Sequence, residues 1–129
     1  MTPRFATALA AAVALLASPA RGAEATPPLP APGPVDGATG HALAARGVKV
    51  VDVRTPEEFA EGHVPGAVNI PYDQIAARAA EIGPPATPVL LYCRSGRRSG
   101  IAAQALAAKS FTAIYDMKTF DAWKAAEKK

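Results

Sequence analysis

Val89-Leu90-Leu91-Tyr92-Cys93-Arg94-Ser95-Gly96-Arg97-Arg98-Ser99-Gly100 is the stretch on which the reading of the fold turns. Four consecutive apolar residues have the length and character of a strand buried on both faces. A short polar loop follows, and residues 99–108 then read as an alanine-rich helix. The same alternation extends in both directions. Towards the amino end, residues 48–53 form a second β-branched run with strand character. Thr55-Pro56-Glu57-Glu58 is a helix start, with a threonine cap, proline in the first turn and glutamate three residues after the cap; this predicts a helix through Glu61. Residues 39–46 predict a short helix stopped by Gly47. Further on, residues 67–70 predict a strand, 72–82 a helix ended by Gly83-Pro84-Pro85, 113–115 a last strand and 120–128 a closing helix. Short apolar strands separated by helices predict an α/β fold, a small parallel sheet with helices on both faces. Ligands in such folds bind beyond the carboxyl ends of the strands, which is where Asp52 and Cys93 fall.

Composition narrows the function classes. The 129 residues suit one domain, half of them are hydrophobic, and the net charge of +3 is small. A basic stripe with interleaved aromatics is lacking, which argues against nucleic acid as partner. One cysteine excludes an intramolecular disulfide and a cysteine-rich metal site, and two scattered histidines, His41 and His63, give no metal centre. Residues 1–25 read as a secretory signal: Arg4 near the amino terminus, an apolar run over 5–17 too short to span a bilayer, and small residues at Ser18-Pro19-Ala20 and Ala23-Glu24-Ala25. The expectation is therefore a periplasmic or secreted protein with no stable membrane insertion after cleavage. Residues 26–35 are proline-rich and predict an extended, semi-rigid spacer that either holds the domain off the export site or trails in solvent, with the folded domain at 36–129. An unpaired cysteine in an exported protein either hides in a core or has a chemical task.

The loop around Cys93 favours the task. A tight turn between a strand and a helix points successive backbone N–H groups inward, and the helix start adds partial positive charge. A thiolate at its mouth is stabilised by those amides and by Arg94, Arg97 and Arg98. Gly96 gives the backbone freedom for the turn. A buried structural cysteine needs none of these neighbours.

Two stretches also resemble the rhodanese homology domain. Asp52-Val53-Arg54-Thr55-Pro56-Glu57-Glu58-Phe59, continuing into Gly62-His63-Val64-Pro65-Gly66-Ala67-Val68-Asn69-Ile70-Pro71, is similar to that family's amino-proximal signature. Tyr92-Cys93-Arg94-Ser95-Gly96-Arg97-Arg98-Ser99 resembles the active-site loop of its single-domain members. The resemblance implies a three-layer rhodanese-like fold and a sulfurtransferase of the thiosulfate:cyanide type. Cys93 would take a sulfane sulfur from a small anion such as thiosulfate, become a persulfide, and pass the sulfur to cyanide or a thiol, with a protein acceptor a further option. The loop Arg94, Ser95, Gly96, Arg97 and Arg98 would bind substrate; Arg94 and Arg97 would orient the donor, and Arg98 would either do the same or brace the loop through a carboxylate. No metal or organic cofactor is implied. Phosphatases of related architecture enclose five residues between cysteine and arginine, whereas Cys93 and Arg98 enclose four, so sulfur is favoured over phosphate. The alternative in another class is a non-enzymatic persulfide carrier or partner-docking module.

Other residues read more plainly. Asp52 and Arg54 are supporting residues at a strand end, more naturally a local salt bridge than catalytic groups. His63 reads as a turn-stabilising residue, His41 as an exposed helix residue, and Glu57, Glu58 and Glu61 as a solvated helix start. Phe120 and Trp123 read as the packed face of the last helix. Relatives in the resembled family commonly carry a glycine pair before that helix; here the stretch is Tyr115-Asp116-Met117-Lys118-Thr119-Phe120, one residue shorter and without the pair. Ser110 stands where a helix-ending glycine is expected.

Overall fold

The computed structural model describes residues 26–127 together with Pro3. The segment 1–25, read above as an export signal, otherwise lies outside the described residues, as do Lys128 and Lys129. The opening stretch forms β4 (Val89–Cys93), the central strand, with all five residues buried. Its side chains divide between two cores: Val89, Leu91 and Cys93 face one, Leu90 and Tyr92 the other. This is the period-two alternation of a strand covered on both sides. On one flank β4 pairs with β2 (Lys49–Asp52), which pairs in turn with β3 (Val68–Asn69). On the other it pairs with β5 (Ile114–Thr119), which carries the two-residue edge strand β1 (Gly33–Pro34). The order is β1-β5-β4-β2-β3, parallel throughout.

Helices cover both faces, as the sequence predicts. One core is closed by α1 (Gly37–Ala45) through Leu43 and α4 (Phe120–Glu127) through Trp123. The other is closed by α3 (Arg97–Ala108) through Ala102 and Leu106, and by Ile75, Ala79 and Ile82. Helix α2 (Pro56–Glu61) follows β2 with the predicted capping box in place: the Thr55 side chain accepts from Glu58 N, and the Glu58 carboxylate accepts from Thr55 N. Helix α3 begins two residues earlier than predicted, so Arg97 and Arg98 lie in its first turn.

Three expectations are corrected. Residues 72–82 form tight turns and a short 3-10 helix (Ala79–Glu81). Tyr72 N still donates to Val53 O, so the chain is tied to the end of β2 where a helix was to begin. The amides of Gln74, Glu81 and Ile82 then reach back three residues, to Pro71, Arg78 and Ala79. The last strand does not stop at Tyr115 but runs to Thr119, with a register shift that makes Met117 an extra residue opposite Leu91 and Tyr92. Asp116 Oδ1 accepts from Lys118 N at 2.9 Å and holds that bulge. The proline-rich stretch does not trail in solvent. Gly33 and Pro34 pair with Tyr115 and Asp116, Tyr115 Oη donates to Pro30 O at 2.7 Å, Arg46 donates to the carbonyls of Pro27 and Pro28, and Leu29 packs on the α1/α4 core. An edge position suits proline, which has no N–H to give a neighbour.

Candidate active site

Asp52 and Cys93 end adjacent parallel strands, so both arrive at the carboxyl edge of the sheet, as predicted. Cys93 is buried, and its sulfur has two partners: Sγ accepts from Gly96 N at 2.9 Å and donates to Lys118 O at 3.3 Å. Gly96 makes this bond from the left-handed region, φ +97°, as the residue that caps α3. A Cβ at Gly96 would also lie 3.3 Å from Lys118 Cβ, so a side chain there would crowd its neighbour as well as strain the backbone. The buried hydroxyl of Ser99 donates to Gly96 O at 3.0 Å and clamps the turn. The loop is thus a cradle built around one sulfur atom, with the start of α3 behind it.

The arginines of the loop have separate placements. Arg98 forms a bidentate pair with Glu58, at 2.6 and 3.0 Å, tying the first turn of α3 to the first turn of α2. It is the brace. Arg98 and the capping contacts with Thr55 hold the Glu58 carboxyl down at about 2, against some opposing burial. Glu58 is therefore not part of a solvated helix start, a correction whose cause is a partner forty residues further along the chain. Arg94, Ser95 and Arg97 are exposed at the mouth, free of any hydrogen bond or ion pair among the described residues.

Asp52 and Arg54 are buried beside this cradle. Asp52 accepts from the backbone and guanidinium of Arg54 and, at 2.7 Å, from Tyr92 Oη, which itself accepts from Val64 N. Arg54 also donates to Gly62 O at 2.7 Å, and Asn69 donates to the carbonyls of Asp52 and Arg54. Burial alone would lower the Arg54 pKa, but its contacts with Asp52 outweigh this and raise it. Burial, with Asp52 adding to it, pushes the Tyr92 phenol well up. Both groups keep one protonation state across the physiological range, which suits a scaffold joining β2, β4 and the 62–64 turn and does not suit a proton carrier. Asp52 and Arg54 form the local salt bridge read from the sequence. His63 Nδ1 bonds Phe59 O at 2.9 Å and its ring stacks on Phe59, as a turn-stabilising residue should. His41 is not simply exposed: it stacks on Trp123 at 3.5 Å and bonds its carbonyl.

A cleft of about 340 Å³ adjoins the loop, walled by Arg54, Glu58, Gly62 and Arg94 on the sheet side and by the start of α4, including Phe120, on the other. The sequence pointed to none of Tyr92, Ser99, Gly62, Phe120 or Lys118 as site residues. Tyr92 and Ser99 stood at the two ends of the resembled loop, Gly62 within the first signature, and Lys118 and Phe120 in the stretch that lacks the glycine pair; that they meet around one site is what no local pattern encodes. Among the described residues no group of three or more histidines, cysteines, aspartates or glutamates could hold a metal ion.

The departures from the expected glycine pattern are visible as backbone. Lys118, at φ +72°, and Ser110, at φ +71°, occupy the left-handed region where a glycine was anticipated. Strand β5 runs directly into α4, with Thr119 Oγ1 accepting from Ala122 N as the cap.

A cysteine at the carboxyl end of the central parallel strand, cradled by a glycine turn that opens a helix, places an α/β protein in the rhodanese-like class. The chain belongs to the family described as "Rhodanese-like domain", which matches residues 40–126. Among curated relatives it is 47% identical over 73 residues to the uncharacterized protein YqhL of Bacillus subtilis, covering 57% of each chain. It thus spans little more than half of YqhL's length. It is 33% identical over 104 residues to thiosulfate sulfurtransferase 16, chloroplastic, of Arabidopsis thaliana, covering 71% of this chain and 87% of that one. Among solved structures, the human single-domain sulfurtransferase TSTD1 superposes with a TM-score of 0.62 at 22% identity, over 74% of this chain and 96% of that one. That likeness supports the rhodanese-like α/β fold.

Proposed function

We propose that this protein is a sulfurtransferase that carries sulfane sulfur as a persulfide on Cys93. The Cys93 thiolate attacks the outer sulfur of a donor such as thiosulfate; the S–S bond of the donor breaks and sulfite departs with the electron pair. The outer sulfur of the Cys93 persulfide is then attacked by cyanide or a thiolate, the second S–S bond breaks, and the Cys93 thiolate is regenerated. This is double displacement, with ping-pong kinetics as its signature. The observation that carries the reading is the Gly96 N–H aimed at Cys93 Sγ at 2.9 Å within a turn braced by Ser99 and Arg98. Arg94 and Arg97, exposed at the mouth, orient the donor's oxyanion. Sulfurtransferase relatives such as the Arabidopsis protein support the reaction class. Export to the periplasm or beyond, read from residues 1–25, belongs to the same proposal.

The test is intact-mass analysis after exposure to thiosulfate, followed by thiocyanate formation with cyanide. The protein is expected to gain one sulfur atom, to lose it to cyanide, and to do neither as Cys93→Ser. Failure of the folded wild type to gain sulfur overturns the reading. The alternative is a persulfide carrier that delivers to a docked protein partner. Loading without turnover on cyanide or small thiols selects it.

A further inference from the structure

The cleft beside Cys93 carries a charge pattern of its own. Six charged side chains line it, and four already have partners. Arg54 is neutralised by buried Asp52, and Glu58 by Arg98. Lys124 and Asp121 pair across one turn of α4 at 3.1 Å, and the lysine lies 4.7 Å over the Phe120 ring. Arg94 and Glu61 remain, one positive and one negative, with no hydrogen bond or ion pair to any described residue. Arg94 directly follows Cys93, so the unpaired cation of the cleft is carried by the same loop as the sulfur.

We propose that this cleft is the sulfur-acceptor subsite and that it selects a small zwitterionic thiol, an aminothiol bearing a carboxylate. The carboxylate meets Arg94, whose planar fork suits it. The ammonium meets the Glu61 carboxylate. A dianion finds only one unpaired cation in the cleft, and a thiol lacking the ammonium leaves Glu61 unmatched. The assignment deepens the sulfurtransferase reading and rests on it for the chemical step alone. In that step the acceptor thiolate takes the outer sulfur of the Cys93 persulfide, the S–S bond breaks and the Cys93 thiolate leaves.

Binding is testable without turnover. The probes are S-methylcysteine, 3-(methylthio)propionate, which lacks the ammonium, and 2-(methylthio)ethylamine, which lacks the carboxylate. Each is titrated into the full chain while backbone amide NMR shifts are followed. S-methylcysteine is expected to shift the amides of Arg94, Glu61 and Phe120 and to bind severalfold more tightly than either truncated probe. Glu61→Gln should erase its advantage over the propionate probe, a change of about threefold, the size of a partly exposed ion pair. Glu61→Lys should reverse the order. Equal affinity of S-methylcysteine and the propionate probe in the wild type overturns the proposal, as does equal weakening of both by Glu61→Gln. Zwitterion binding with no sulfur gained at Cys93 leaves the subsite standing and removes the sulfurtransferase reading instead.

Discussion

At the scale of single residues, Lys118 shapes the site most unexpectedly. It is a non-glycine residue at φ +72°, its carbonyl accepts from the Cys93 thiol, and its aliphatic stem lies against Gly96. A side chain in the left-handed region costs roughly 1–2 kcal/mol, and glycine gives back about half of that gain through its freer unfolded chain. Lys118→Gly should therefore raise stability by about 0.5–1 kcal/mol, read as a shift in urea midpoint at constant m-value. It should also speed alkylation of Cys93 by iodoacetamide, because the stem no longer lies across the cradle. Ser110→Gly provides the control. Ser110 is also left-handed, at φ +71°, inside the bonding pattern that ends α3: its N–H donates to Ala107 O, and that of Phe111 to Leu106 O. It should match the gain in stability and leave the alkylation rate unchanged. If both variants speed alkylation alike, the stem of Lys118 is not what covers the sulfur.

At the scale of elements, the site is held by the joint between the first turns of α2 and α3. Glu58 serves both: it completes the Thr55 capping box and takes both arms of Arg98. Its carboxyl titrates at about 2 in the folded protein, against an ordinary 4.5. A depressed folded pKa stabilises the fold above the unfolded value and loses that contribution as pH falls through the folded one. Urea midpoints of the wild type should thus fall between pH 5 and pH 2, and Glu58→Gln should be less stable at neutral pH but flatter across that window. Parallel curves for the two proteins would remove Glu58 from this role. The capping box was legible in the sequence because its parts lie within four residues. A carboxylate brace for Arg98 was one of two roles the sequence left open, but its partner was not legible, because position 98 meets position 58 only after β3 and β4 are laid beside β2. The same division runs through the fold. Central β4 and its loop were legible from apolar run length and turn chemistry. Residues 72–82 were misread because Ile75, Ala79 and Ile82 show a helical period that a series of tight turns satisfies equally well. The end of β5 was missed because Asp116 and Lys118 are polar, and neither hydropathy nor period marks a bulge held by a side-chain bond.

At the scale of the whole molecule, the cleft depends on where α4 sits, and α4 is placed by α1. Two glycines let α1 sit close to its neighbours, Gly37 against α4 and Gly40 against Met117 of β5. A Cβ at Gly37 would lie 2.0 Å from Ala122 O, a backbone atom of α4, and one at Gly40 would lie 2.5 Å from Met117 Sδ. In an isolated helix either change to alanine would stabilise by about 1 kcal/mol. The surroundings reverse that sign unequally. The Met117 thioether can rotate away, so Gly40→Ala should stay within about 1 kcal/mol of the wild type. The Ala122 carbonyl can move only with its helix, so Gly37→Ala should destabilise by roughly 1–3 kcal/mol, the range for overpacking a close contact. Displacing α4 also carries Phe120 off the guanidinium of Arg54, now 4.9 Å from its ring, and widens the cleft beside Arg94. Gly37→Ala should therefore lower the urea midpoint and weaken S-methylcysteine binding, although residue 37 belongs to neither the cradle nor the cleft. A Gly37→Ala protein as stable as the wild type, or one destabilised no more than Gly40→Ala, would show that the spacing between α1 and α4 is not what sets the position of Phe120.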